Sequence, residues 1–189
     1  GNNFSEMHPV LFSRVVDRRR RGQKVELIDL TTRHTRTSQQ ADHVLLMQPQ
    51  SDLAIANCIS HQLLERNAWD RDFVEKHCHF RGPGNPQTLK GEAITFEQFR
   101  ASVAEYTIAR TAQISGLSEQ QLTMLGDLFA DKSRKITSLW CMGVNQHTQG
   151  TAINNLIHAV HLLSGHFGKP GDGPQSLTGQ PSACGTVRE

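Results

Sequence analysis

No apolar run in this sequence approaches the roughly 18 residues that a membrane-spanning helix requires. Charge of one sign is also lacking: 20 Lys and Arg face 18 Asp and Glu, and a formal charge of +2 does not point to a nucleic-acid partner. No CxxC pair occurs among Cys58, Cys78, Cys141 and Cys184, so zinc and iron–sulfur ligation have no local signature. Cys58 falls on the apolar face of a helical pattern and Cys141 in a strand pattern, which reads as core packing for both. No signal peptide is read, because Gly1 opens a polar stretch with neither a cationic segment nor a hydrophobic one behind it. Internal repeats and low-complexity tracts are missing as well.

What is present suits a soluble globular domain with a sizeable core. Of 189 residues, 37% are hydrophobic and 20% charged, outside the disordered range. The first residue is not Met, and Glu189 falls in a loop-like stretch. The expectation is an internal piece of a longer protein.

Helical and strand periodicities alternate along the first third. Pro9–Arg20 repeats apolar residues at turn spacing, and Lys24–Leu30 and His43–Met47 read as strands. Ser51 is positioned to cap a helix from Asp52 to about Arg66, with Leu53, Ala56, Ile59 and Leu63 on one face. This order suggests parallel βαβ units, and so an α/β fold: three layers, α/β/α, around a Rossmann-like, mostly parallel sheet. The stretch 68–131 reads as a small helical insertion. Arg81–Lys90 is an exposed Gly- and Pro-rich loop, and Thr95 with Gln98 and Ser118 with Gln121 are capping boxes. Lys135–Met142 then reads as a buried strand, Gly143–Gly150 as a polar loop and Thr151–Ser164 as a helix. Residues 165–189 read as extended loop, a length that is usually functional in a compact domain.

Ligands of open α/β sheets bind beyond the carboxyl ends of the strands. Gly1–His8 precedes a helix whose first N–H groups could hold a phosphate. Thr31 and Thr32 follow one strand, and Asn145, Gln146, His147 and Thr148 follow another. Such neutral hydrogen-bonding groups suit a nucleotide-like ligand, although periodicity alone equally allows ordinary polar loops.

The segments GNNFSEMHPVLFSR (1–14), PQSDLAI (49–55), MGVNQHTQG (142–150) and SLTGQPSACGTVRE (176–189) resemble, in order and at compatible separations, the large catalytic subunits of molybdopterin oxidoreductases, and in particular the periplasmic, respiratory nitrate reductases. The resemblance spans nearly the whole chain. It implies a fragment, residues 1–189, of the region that binds a molybdenum ion held by two molybdopterin guanine dinucleotides. Asn3, Glu6 and Met7 would lie in a first nucleotide loop, Thr31, Thr32, Arg33, His34 and Thr35 in a second, and Gln50, Ser51 and Asp52 in a third. An acid at 52 can accept the N1 and amino protons of guanine. Met142 and Gln146 would approach the pterin and metal, and Gln180 and Arg188 would line a substrate funnel within the loop 165–189. Met142, Gln180 and Arg188 are thus the candidate catalytic positions.

The implied reaction reduces nitrate to nitrite, with electrons from a cytochrome or redox subunit, in the periplasm or, for an assimilatory type, the cytoplasm. Gln149 stands where the periplasmic type commonly has Arg, and QG at 149–150 is similar to assimilatory enzymes. The family's 4Fe–4S cluster needs cysteines that this sequence lacks, and its molybdenum-ligating cysteine belongs upstream. No metal ligand is therefore assigned here, and the fragment alone is expected to be inactive. Formate dehydrogenases and other oxyanion reductases share these nucleotide loops, and a non-catalytic nucleotide-binding module would keep them too.

The remaining features read structurally. His77, Cys78 and His79 have no further ligand nearby in sequence. His158 and His161 share a face of an apolar helix and read as satisfied core histidines. Arg18–Arg21 complements the negative end of a helix dipole, and Trp69 and Trp140 read as core anchors.

Overall fold

The computed structural model describes residues 2–84 and 91–177. A one-turn helix α1 (Phe4–Met7) leads into α2 (Pro9–Arg20), where Pro9 occupies the first helical position and needs no N–H partner. Strands β1 (Ile28–Thr31) and β2 (His43–Leu46) pair in parallel, from Ile28 opposite His43 to Thr31 opposite Leu46. The first strand is shorter than its sequence pattern. Arg19 Nε donates to Val25 O at 2.8 Å and holds the stretch before the strand against α2.

Helix α3 (Asp52–Glu65) is buried on most of its surface, including Ile55, Cys58, Ile59, Leu63 and Leu64. It is a central helix rather than a one-sided cover. Helix α4 (Arg71–His77) is capped by Asp70, whose carboxylate accepts the Phe73 N–H at 3.1 Å. The stretch expected as an exposed loop begins instead with a strand, β3 (Arg81–Gly84), antiparallel to β4 (Gly91–Ala93). The rest of that expectation, residues 85–90, lies outside the described residues. Both capping boxes are formed, at the starts of α5 (Phe96–Val103) and α7 (Glu119–Ala130). Between these helices lies α6 (Ile108–Ser115).

Strand β5 (Thr137–Trp140) ends before Met142, which opens the short helix α8 (Met142–Asn145) where a polar loop was expected. Indole burial fixes that turn. Trp140 is 3% exposed, and its Nε1 donates to Asn145 Oδ1 (3.1 Å) and Asn154 Oδ1 (2.8 Å), which pulls the chain back over the ring. Helix α9 (Gly150–Ser164) stops at Gly165 in the left-handed region, φ 71°. The expected loop beyond it contains β6 (Gly173–Ser176), parallel to β5.

The class is α/β, as the sequence implies, with two parallel pairs and one hairpin among the described residues rather than one continuous sheet. The residues expected as an insertion, among them Val74, Val103, Leu122 and Phe129, share one apolar core with Leu45, Ile55, Ile136 and Val160. His161 is fully buried in that core. Its Nδ1–H donates to His166 O and its Nε2 accepts from Ser138, each at 2.8 Å, so the expected satisfied histidine is found. His158 is the exposed member of that pair. Trp140 is the expected anchor, whereas Trp69 is only partly buried, with the Phe96 ring tilted against it and the Arg71 guanidinium over its ring.

Candidate functional site

The carboxyl ends of β1, β2 and β5 gather four short segments at one edge. Thr37 joins the first to the second. Its hydroxyl, 3% exposed with its residue, accepts the Ser5 N–H at 2.9 Å and donates to Asn3 Oδ1 at 3.0 Å. Asn3 in turn donates to Glu6, and Glu6 pairs with Arg36 at 3.2 Å. Below them, buried Asp29 of β1 accepts from Ser38 Oγ at 2.6 Å, while that hydroxyl accepts the Thr35 N–H at 2.9 Å. Thr31 Oγ1 donates to Arg33 O at 3.0 Å. Strand pairing alone would leave this loop free. The hydroxyl network gives it one conformation.

The third segment follows β2. Met47 N–H donates to Thr31 O at 2.9 Å, which ties it to the second, and Gln48 N–H donates to Ser115 O at 2.7 Å. Gln50 adopts φ 70°. Ser51 was expected to cap α3 but does not: its hydroxyl donates back to Gln48 O at 2.6 Å, so it braces the turn instead. Asp52 remains in the first helical turn, where a carboxylate complements the positive end of the helix. Leu53 packs against Trp140, Val144 and Ile153, which brings the fourth segment, 141–146, to the same edge. Asn145 Nδ2 donates to Ser176 Oγ at 2.9 Å and links that segment to the end of β6.

Asn3, Glu6, Thr31, Thr35, Gln50, Ser51 and Asp52 are thus held in one connected array, with Met142 half-buried and Gln146 exposed beside it. Thr32, Arg33 and His34 are exposed at the rim, and Met7 is 53% exposed. Gln180 and Arg188 lie outside the described residues. Sequence reasoning did not single out Asp29, Thr37 or Ser38. An acid inside an otherwise apolar strand followed by hydroxyl residues was the available signal. It also passed over Asn2 and His8.

The Asn2 amide has both polar atoms buried, and so is His8 Nδ1, with no hydrogen-bond partner for any of the three. A buried polar group left unpaired costs about 1–3 kcal/mol, so these atoms mark a place where a polar ligand or water completes the site. The array offers amides, hydroxyls and backbone groups with an acid and a few rim cations, a donor and acceptor set that fits a nucleotide-bearing cofactor. Among the described residues no group of three His, Cys, Asp or Glu could hold a metal ion. Two clefts, of about 410 and 540 Å³, lie elsewhere. One is beside Trp69, Phe96 and Arg100, the other at the amino ends of β1 and β5 beside Ile28, Met124 and Arg134.

The family described as Molybdopterin oxidoreductase matches residues 1–188. Among solved structures, the acetylene hydratase of Pelobacter acetylenicus has a similar fold, with a TM-score of 0.71 at 22% identity. The likeness covers 92% of this chain and 22% of that one.

Proposed function

Because the chain belongs to the molybdopterin oxidoreductase family, we propose that it is part of a nitrate reductase catalytic subunit and supplies walls of its cofactor cleft. The observation that carries the cofactor part is the hydrogen-bonded edge array with the unpartnered Asn2 amide beside it. The nitrate part rests on the segments MGVNQHTQG and SLTGQPSACGTVRE.

The residues fit a molybdopterin guanine dinucleotide. Asn3, Glu6 and Met7, the Thr31–Thr35 loop and Gln50–Asp52 would hold nucleotide groups, with Asp52 accepting the N1 and amino protons of guanine. Met142 and Gln146 would flank the pterin. When bound, the cofactor would supply two-electron oxygen-atom-transfer chemistry. This chain contributes position and charge. Arg188, always protonated and planar, would fork two donors onto the planar nitrate anion and orient one of its oxygens, with Gln180 beside it. Overall, nitrate, two electrons and two protons give nitrite and water. The electrons would come from a cytochrome or redox subunit by way of a 4Fe–4S cluster ligated elsewhere in the subunit, in the periplasm, or in the cytoplasm for an assimilatory type.

The test is dye-linked reduction by the complete gene product, offered nitrate and then other oxyanions, with molybdenum quantified in the same sample. Nitrate turnover by loaded protein supports the reading. Loaded protein that ignores nitrate moves the assignment to another molybdopterin oxidoreductase, starting with formate oxidation, and nucleotide without molybdenum would indicate a non-catalytic module. Arg188→Ala in the complete protein is expected to lower kcat/KM for nitrate at least about tenfold with molybdenum retained. Loss of molybdenum together with activity would make Arg188 structural. The 189-residue chain alone is expected to show no turnover with reduced dye, and any turnover of nitrate by it would overturn that expectation.

A further inference from the structure

Strand β6, Gly173–Ser176, reads GPQS and carries no apolar alternation to fix where it lies against β5. Strands of that kind slip easily, because no buried face distinguishes one register from the next. Pro174 forbids part of the slippage. The N–H groups of Gly173 and Leu177 donate to the Ile136 and Trp140 carbonyls at 2.8 and 2.7 Å. A shift by one residue would put Pro174, which has no N–H, at a donor position. A shift by two meets no such obstacle within the strand.

The obstacle lies just ahead of it, in a closed ring of buried hydrogen bonds. Asp172, its side chain 4% exposed, accepts at Oδ1 the Ile136 N–H ahead of β5 and the His166 Nδ1–H at 3.2 Å. The His166 carbonyl accepts from His161 Nδ1 of α9, and His161 Nε2 accepts from Ser138 of β5, each at 2.8 Å. The ring thus leaves β5 at Ile136 and returns to it at Ser138. Beside it, Lys135 Nζ donates to Pro170 O at 2.8 Å and Thr137 Oγ1 to Gly171 O at 2.9 Å. Sliding the chain by two residues would strip the buried carboxylate of both donors, and a buried charge left unpaired is strongly destabilising. The same slide would carry Ser176 about 7 Å along the strand. It would then leave Asn145 Nδ2, which Ser176 Oγ now meets at 2.9 Å.

We infer that Asp172, braced by His166, is a positioning residue for the cofactor edge. It sets the register of β6 and so brings Ser176 to Asn145, in the segment that carries Met142 and Gln146. The pair sits at the amino end of β6, away from that edge, and acts on it only through the strand. The last step, from segment 141–146 to the cofactor, rests on the reading of this edge as a cofactor cleft. The register step does not.

The test uses the full-length gene product carrying Asn145→Cys and Ser176→Cys, treated with dibromobimane, which fluoresces strongly only after bridging two neighbouring thiols. The two single-cysteine proteins serve as blanks. Asp172→Ala in that background is expected to lower bridging at least about fivefold, whereas Asp172→Asn, which keeps an oxygen in the same place, should bridge like the parent. A protein that is destabilised but not shifted would lose unfolding temperature and keep its bridging, and that result overturns the inference. If Asp172→Ala does not fold, His166→Ala takes its place, with bridging equal to the parent's again the refuting result. Molybdenum loss on dialysis is then followed with Asn145 and Ser176 intact. Loss at least about fivefold faster in Asp172→Ala than in Asp172→Asn supports the link to the cofactor edge; lost bridging with parent-like retention refutes it. A parent protein that holds no molybdenum would count against the cofactor cleft, and bridging would still decide the register.

Discussion

Replacing Thr37 by Val removes one hydroxyl and little else. Thr37 is 3% exposed, and valine nearly matches its volume, so packing is kept while two hydrogen bonds go, from the Ser5 N–H and to Asn3 Oδ1, together with a longer 3.3 Å contact to Ser5 Oγ that shares the same hydroxyl proton. Each such bond contributes about 0.5–1.5 kcal/mol net. Asn3 Oδ1 keeps a longer contact with Ser5 Oγ at 3.3 Å, which places the total in the lower range, about 1–2 kcal/mol. If the first and second loops must be joined to hold a nucleotide, that loss appears as about a 5- to 30-fold weaker hold on the cofactor. The assay is guanine nucleotide and molybdenum content of the full-length variant after dialysis, with thermal unfolding of the same sample. Thr37→Ser, which keeps the hydroxyl, should retain cofactor far better than Thr37→Val. Equal cofactor retention and equal unfolding temperature in the Val variant and the parent would refute the role given to this hydroxyl.

Acid should weaken the fold through His161. Burial pushes its pKa down to about 4 from an ordinary 6.5, so the unfolded chain takes up the proton first. Stability from this group is complete above pH 6.5 and declines as the pH falls toward 4, by about 3 kcal/mol. Urea midpoints measured across that window should fall less steeply in His161→Gln, and parallel slopes would count against the neutral buried imidazole. Gly126→Ala should destabilise, although alanine gains about 1 kcal/mol of helix propensity over glycine. An added Cβ would sit 2.6 Å from Gln62 Cδ, and the Gln62 amide is fixed by its bond to Leu122 O at 3.0 Å and by Arg66 Nη2 at 2.9 Å. Overpacking costs about 1–3 kcal/mol, so a higher denaturant midpoint for the variant would show that Gln62 can swing away.

Local chemistry was legible and tertiary chemistry was not. The two capping boxes could be read from four residues each, because both partners of every bond lie within one helical turn. The span of α2 and the parallel pairing of β1 with β2 followed from periodicity and order. Ser51 misled because a serine before a helix has two local partners. Here the Gln48 carbonyl won over the helix N–H groups. Cys141 and Met142 read as strand for the same reason that Trp140 does, a run of apolar residues. What ends the strand is the indole N–H bonded to Asn145 and to Asn154, and no periodicity encodes the second of those.

The site shows the same division more sharply. The resemblance placed Asn3, Glu6 and Thr31–Thr35 in two separate loops, but nothing in either segment says what joins them. Thr37 does so across 32 and 34 residues of sequence, and Asp29 supports the second loop from beneath through Ser38. These groups need not touch a ligand to matter. Neutral donors and acceptors give little Coulomb attraction, so a site made of them depends on holding its loops in one geometry before the ligand arrives. A buried acid with a short bond to a loop hydroxyl is the means of holding them here, and it makes Asp29 and Thr37 positions where a conservative change should cost more than at the exposed rim residues Arg33 and His34.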